Sequence, residues 1–154
     1  MNDKKKTKEL IPIFFATDDR YVPFLCVALN SLIANSSPKY DYKVHVLIDT
    51  LNDENKKILC DMQTENVKLD FYSVADKLRG ICERLHMRDY YTKATYYRFF
   101  VPEMFPEYDR GVYLDCDIVI TDDIAKLYFT DIGEKETTER FLAITHEQYK
   151  AYAG

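Results

Sequence analysis

The chain has 154 residues, 47% of them hydrophobic and 31% charged, with a formal net charge of −5. That is enough for one globular domain with a real core. The acidic balance excludes nucleic acid as the main partner, because no field of Lys and Arg is present to neutralise phosphates, and no apolar run is long enough to span a membrane.

In chain order, MNDKKKTKEL is a basic, polar start, expected to be flexible through residue 10. It precedes the apolar run IPIFFA. That run imitates a leader peptide, but it is short and ends at Asp18-Asp19-Arg20, so Ile11 to Thr17 reads as a buried first strand. Pro23 suits the first turn of a helix. From Tyr21 to Asn35 the residues Phe24, Leu25, Ala28, Leu29, Leu32 and Ile33 recur at helical spacing, and Asn35-Ser36-Ser37-Pro38 stops them. Tyr42 to Ile48 is a second strand. Asp53 is placed to cap a second helix with Ile58, Leu59 and Met62 as its buried stripe. Val67 to Tyr72 alternates as a third strand. Residues 74 to 93 have no clear pattern. Thr95 to Met104 reads as a helix ending near Pro106, and Gly111 to Leu114 as a fourth strand running into Asp115-Cys116-Asp117. Thr121-Asp122-Asp123 then makes a turn and helix start, and Phe141 to Thr145 a last strand.

Alternating strands and helices of these lengths imply an α/β fold: a Rossmann-like, mainly parallel sheet with helices on both faces. Cys26, Cys60, Cys82 and Cys116 have neither metal-finger nor redox spacing. Cys26 and Cys60 fall on apolar helix faces, so a reduced, cytoplasmic chain is expected. The 13 tyrosines serve equally well for packing or for ligand contact.

Ligands of open α/β sheets sit beyond the carboxyl ends of the strands. Two acidic clusters fall there: Asp18-Asp19 after the first strand, and Asp115 with Asp117 after the fourth. The second is the sharper signal. Val112-Tyr113-Leu114-Asp115-Cys116-Asp117-Ile118-Val119-Ile120 sets two carboxylates, two positions apart, into apolar surroundings. Buried unpaired carboxylates are costly and repel one another. A divalent cation removes both penalties, and oxygen ligands suit Mn²⁺ or Mg²⁺. The D-x-D spacing alone is weak, since such a pair also caps turns at strand ends.

Three segments together resemble glycosyltransferase family 8. VYLDCDIVI is similar to the family's strand followed by D-x-D. IPIFFATDDRYVPFLCVALNSLIANS resembles its opening strand, its A-x-D-x-x-Y loop and its helix with a Ser-Leu pair. Thr95-Tyr96-Tyr97-Arg98 resembles its T-Y-x-R segment. The match runs from about Ile11 to Ile144. It implies a GT-A nucleotide-sugar-binding domain over residues 11–154, incomplete at its carboxyl terminus. It also implies retaining transfer of a hexose from a UDP-sugar to a glycan or lipopolysaccharide-type acceptor. Ala16, Asp18 and Tyr21 would contact nucleobase and ribose, and Arg98 the phosphate or sugar. Asp115 and Asp117 would ligate the metal, and the backbone of Cys116 would meet the ribose. Without the resemblance, Asp18 is equally a carboxylate at a helix N-terminus, Tyr21 a packing residue and Arg98 an exposed helix charge. Arg20 departs from the small polar residue usual in the family. A third metal ligand, a His, is expected beyond the chain, because His146 is too close to the aspartate pair. The acceptor site and any peripheral membrane contact are expected there too. Glu147 lies near the place of a sugar-facing carboxylate and is not carried over to that role.

Two other readings stand beside this one. Asp115-Cys116-Asp117-Ile118-Val119 fits the first motif of haloacid dehalogenase phosphatases, with Asp115 as nucleophile and Asp117 as acid/base, and Thr145 would imitate the second motif. Alternatively, the chain binds a nucleotide-sugar without turnover.

Overall fold

The computed structural model describes residues 7–75 and 97–131. Within them the order is β1 (Glu9–Thr17), α1 (Val22–Asn35), β2 (Tyr40–Ile48), α2 (Asp53–Asp61) and β3 (Val67–Ser73). A 3-10 turn (Arg98–Phe100) then leads into the one-turn helix α3 (Val101–Met104), followed by β4 (Val112–Tyr113) and the one-turn helix α4 (Ala125–Tyr128). The expected strand Phe141–Thr145, the residues Thr95, Tyr96, His146 and Glu147, most of the stretch 74–93, Cys82 and the first six residues lie outside the described part.

The four strands form one parallel sheet in the order β3-β2-β1-β4. β1 pairs with β2 along its whole length, Glu9 opposite Tyr40 through Thr17 opposite Ile48, so this strand starts two residues before Ile11. On the other side, Ile13 and Phe14 pair with Val112 and Tyr113. Pro12, which has no N–H to give, lies just before that pairing begins.

Strand alternation sends side chains to two faces. Ile11, Ile13 and Phe15 join Val44, Val46 and Ile48 in one cluster with Leu25, Leu29 and Leu32 of α1 and Leu59 of α2. Phe14 and Leu47 face the other way, against Phe100, Val101 and Phe105. Helical segments thus cover both faces, and the sheet interior reads as continuous apolar runs, as expected of a parallel sheet.

The helix stripes are narrower than their periodicity implies. Phe24 is 52% exposed, while Val22 takes a buried place on α1. In α2 only Leu59 is buried; Ile58 is 43% exposed and Met62 only packs at the rim. Cys60 is exposed rather than on an apolar face. A nine-residue helix touches the core with one turn, so neighbours of Leu59 fall outside the contact. The cap also differs: Asn52, not Asp53, accepts the N–H of Asn55 (2.8 Å), and Asp53 is the first helical residue. The helix expected over Thr95–Met104 is, in its described part, a 3-10 turn leading into α3, with Pro102 in the first turn of α3.

Candidate functional site

Chain order and strand order part company at β1. The chain runs outward from β1 to β2 and β3, then returns to β1's other side with β4. In such sheets the crevice beyond the carboxyl ends of the two strands flanking that reversal is the binding site. Here those strands are β1 and β4, which end in Thr17-Asp18 and Leu114-Asp115.

The first loop is built around Asp18. Its Oδ1 accepts the backbone N–H of Arg20 (2.9 Å) and of Tyr21 (3.2 Å), which turns the chain into α1. Its Oδ2 accepts the Arg20 guanidinium at 2.8 and 3.3 Å. Arg20, the departure from the family pattern, therefore folds onto the very carboxylate expected to meet the ligand. Tyr21 is exposed and its ring lies 5.6 Å from that of Phe24, so an aromatic surface stands open beside Asp18.

Asp19 does a different job. Its Oδ1 accepts the Asn52 N–H (3.0 Å) and the side-chain amides of Asn52 and Asn55 (both 2.8 Å). The Asn55 amide and the Asn52 backbone hold its carboxyl below the usual range. The loop after β1 is thereby tied to the start of α2. Sequence reading missed this tie, because its partners lie 33 and 36 residues away; an Asn before Asp-Glu was the one available hint of a cap.

The second loop corrects the expectation of carboxylates set within a strand. β4 is two residues long, and its pairing ends with the Leu114 N–H donated to the Phe14 carbonyl (2.9 Å). The chain then turns at Cys116-Asp117. Asp115 and Asp117 are both exposed and Cys116 between them is buried, so no desolvation penalty forces a cation between them. Ile118–Ile120 is not strand either: the Ile120 N–H donates to Ser31 Oγ (2.9 Å), and the Ile120 carbonyl accepts the Asn35 amide (2.9 Å), pinning the loop to α1.

Cys116 joins the two loops. Its thiol donates to the Ala16 carbonyl at 3.0 Å. Burial first of all, and then the negative charges of Asp115, Asp117 and Asp18, push the thiol up to about 12. The loops that carry the two acidic clusters therefore touch at this buried thiol. Arg98 completes the group. Its guanidinium lies 4.9 Å from the centre of the Tyr113 ring and donates to Asp115 Oδ1 at 3.3 Å. Burial pushes the Tyr113 phenol well above its ordinary range, and Arg98 partly opposes that. All seven residues expected at a donor site, Ala16, Asp18, Tyr21, Arg98, Asp115, Cys116 and Asp117, therefore lie at or beside the carboxyl ends of β1 and β4. Among the described residues no group of three His, Cys, Asp or Glu is disposed to hold a metal.

A family model described as glycosyl transferase family 8 matches residues 12–148. The chain belongs to that family. Family membership at this span overturns the haloacid dehalogenase alternative, whose motif opens its fold rather than following a fourth strand. The chain is 29% identical over 146 residues to General stress protein A of Bacillus subtilis, covering 92% of this chain and 50% of the relative. Among solved structures, the apo form of the WbbM bifunctional glycosyltransferase superposes with a TM-score of 0.67 at 27% identity, over 86% of this chain and 23% of that one. The galactosyltransferase LgtC, in complex with donor and acceptor sugar analogs, gives a TM-score of 0.62 at 26% identity, over 80% and 44%. The fold is thus the GT-A-type parallel sheet of these enzymes, and the chain spans about half the length of the curated relative.

Proposed function

We propose that this chain forms the donor-binding part of a metal-dependent, retaining hexosyltransferase that moves a sugar from a UDP-sugar to a glycan or lipid-linked acceptor. The supporting observation is the meeting of Asp18, Arg98, Asp115 and Asp117 at the reversal point of the sheet, with Cys116 joining their two loops. On this reading Asp18 and Tyr21 receive the nucleobase and ribose, the backbone of Ala16 and Cys116 lines the ribose, and Arg98 offers a planar fork to phosphate or sugar oxygens.

The residues fit a hard divalent cation. Asp115 and Asp117 are exposed oxygen donors two positions apart, and Mg²⁺ or Mn²⁺ bound through one or two carboxylates takes phosphate and water oxygens for the rest. When bound, the cation supplies charge stabilisation to a departing diphosphate. The chain's own residues orient the donor around it: Tyr21 by ring contact, Asp18 by accepting hydrogen bonds, Arg98 by charge. A cytoplasmic location accords with Cys26, Cys60 and Cys116 being free thiols.

Calorimetric titration of UDP with and without Mn²⁺ tests the reading. Manganese should tighten UDP binding by at least about tenfold, and Asp117→Ala should abolish that gain while the circular dichroism spectrum stays native. UDP affinity that ignores manganese, or survives the substitution, would refute it.

A further inference from the structure

The Arg98–Asp115 contact places a fixed cation on one of the two carboxylates read as metal ligands. We propose that Arg98 is a place-holder: it occupies Asp115 while the site is empty and is drawn off by the nucleotide's diphosphate, so that cation and nucleotide bind cooperatively and the cation alone binds weakly. This inference rests on the donor-site reading above.

Four observations support it. The guanidinium reaches Asp115 Oδ1 at 3.3 Å by a single nitrogen, not a two-pronged clasp, and single-pronged pairs are the more readily exchanged. The Arg98 side chain is only 25% exposed, while that of Asp115 is 47% exposed, so the carboxylate is open to a solvent cation and the arginine is largely covered. The Tyr113 ring at 4.9 Å is one of the contacts that hold it, and directs the guanidinium towards Asp115. Asp117, two residues on, has no arginine or lysine contact among the described residues; the asymmetry means that a cation arriving alone competes with Arg98 for one ligand only. A diphosphate offers Arg98 a denser negative charge and a better match to its fork. Its arrival frees Asp115 at the moment the cation gains phosphate ligands, and by linkage each ligand favours the other.

The test is Mn²⁺ titration followed by the electron paramagnetic resonance signal of free manganese, on the protein and on Arg98→Gln, with and without UDP. Without UDP, Arg98→Gln should bind manganese about fivefold more tightly, the size expected for release of one half-exposed ion pair. UDP without metal should bind the variant more weakly, and the factor by which UDP and manganese favour each other should shrink. Arg98→Lys keeps the charge without the planar fork; it should fall between the two, whereas a purely long-range charge effect would leave it equal to the parent. If the parent binds manganese with UDP and Arg98→Gln binds manganese alone no more tightly, Asp115 is shared between arginine and metal and the place-holder role is wrong. If neither protein binds manganese even with UDP, the donor-site reading fails and this inference with it.

Discussion

Asp19 Oδ1 accepts the Asn55 side-chain amide at 2.8 Å, across 36 residues of chain. With the two Asn52 donors to the same oxygen, it fixes where the loop after β1 lies relative to α2. Asp19→Ala should therefore loosen the loop that carries Asp18 and Tyr21. We expect UDP affinity to drop roughly tenfold, the scale of a modest misplacement of a binding group, while manganese affinity stays within twofold to threefold of the parent. Calorimetry with each ligand separately gives both numbers; equal losses for both would show a general collapse of the edge instead.

His45 sits in an aromatic nest under the sheet. It stacks on Phe14 at 4.9 Å, meets Phe105 at 4.6 Å and has Nε2 at 3.2 Å from the Tyr108 hydroxyl; Nδ1 has no hydrogen-bond partner among the described residues. Burial, with help from Lys43, pushes it down to about 4 from 6.5. The unfolded chain then binds more protons than the folded one between those values, so stability is full above pH 6.5 and is lost as pH falls towards 4. Urea unfolding should show a loss of about 2 kcal/mol between pH 7 and pH 5, and His45→Phe should remove most of that slope.

Gly111 leads into β4 where the chain passes hard against Phe14. A Cβ there would stand 2.5 Å from Phe14 Cε2, and that ring is held by His45 and Phe105. Gly111→Ala should cost about 1–3 kcal/mol of stability. Adding Phe14→Leu should recover part of that loss relative to Phe14→Leu alone, a coupling that a double-mutant cycle reads directly.

Cys116 should be nearly inert to alkylation. With its thiol pushed up to about 12, very little of it is thiolate at pH 8. Peptide mapping after a short iodoacetamide pulse should find that, of Cys26, Cys60 and Cys116, the exposed Cys60 is modified first and Cys116 last. Early modification of Cys116 would mean that its tie to Ala16 opens readily.

The sheet was legible because its strands are long and apolar: β1, β2 and β3 fall within two residues of the runs at Ile11, Tyr42 and Val67. The site residues were legible only as positions in a familiar pattern. Their surroundings were not. Whether Asp115 and Asp117 are buried depends on where β4 stops pairing with β1, and nothing in VYLDCDIVI says that this happens after Leu114. Helical periodicity placed Phe24, Ile58 and Cys60 on inner faces because it cannot show how narrow each contact is. The contacts that shape the loops, Asp19 with Asn55 and Arg98 with Asp115, join side chains distant in sequence and leave no local trace.

Helix α1 begins at the Asp18 loop and, near its far end, grips the segment after Asp117 through Ser31 and Asn35. One helix is therefore tied to the loop after β1 at its start and to the segment after Asp117 at its far end. On the proposed reading, a substitution at Ser31 or Asn35 would be felt at Asp117 through the backbone alone, without removing any group that meets a ligand.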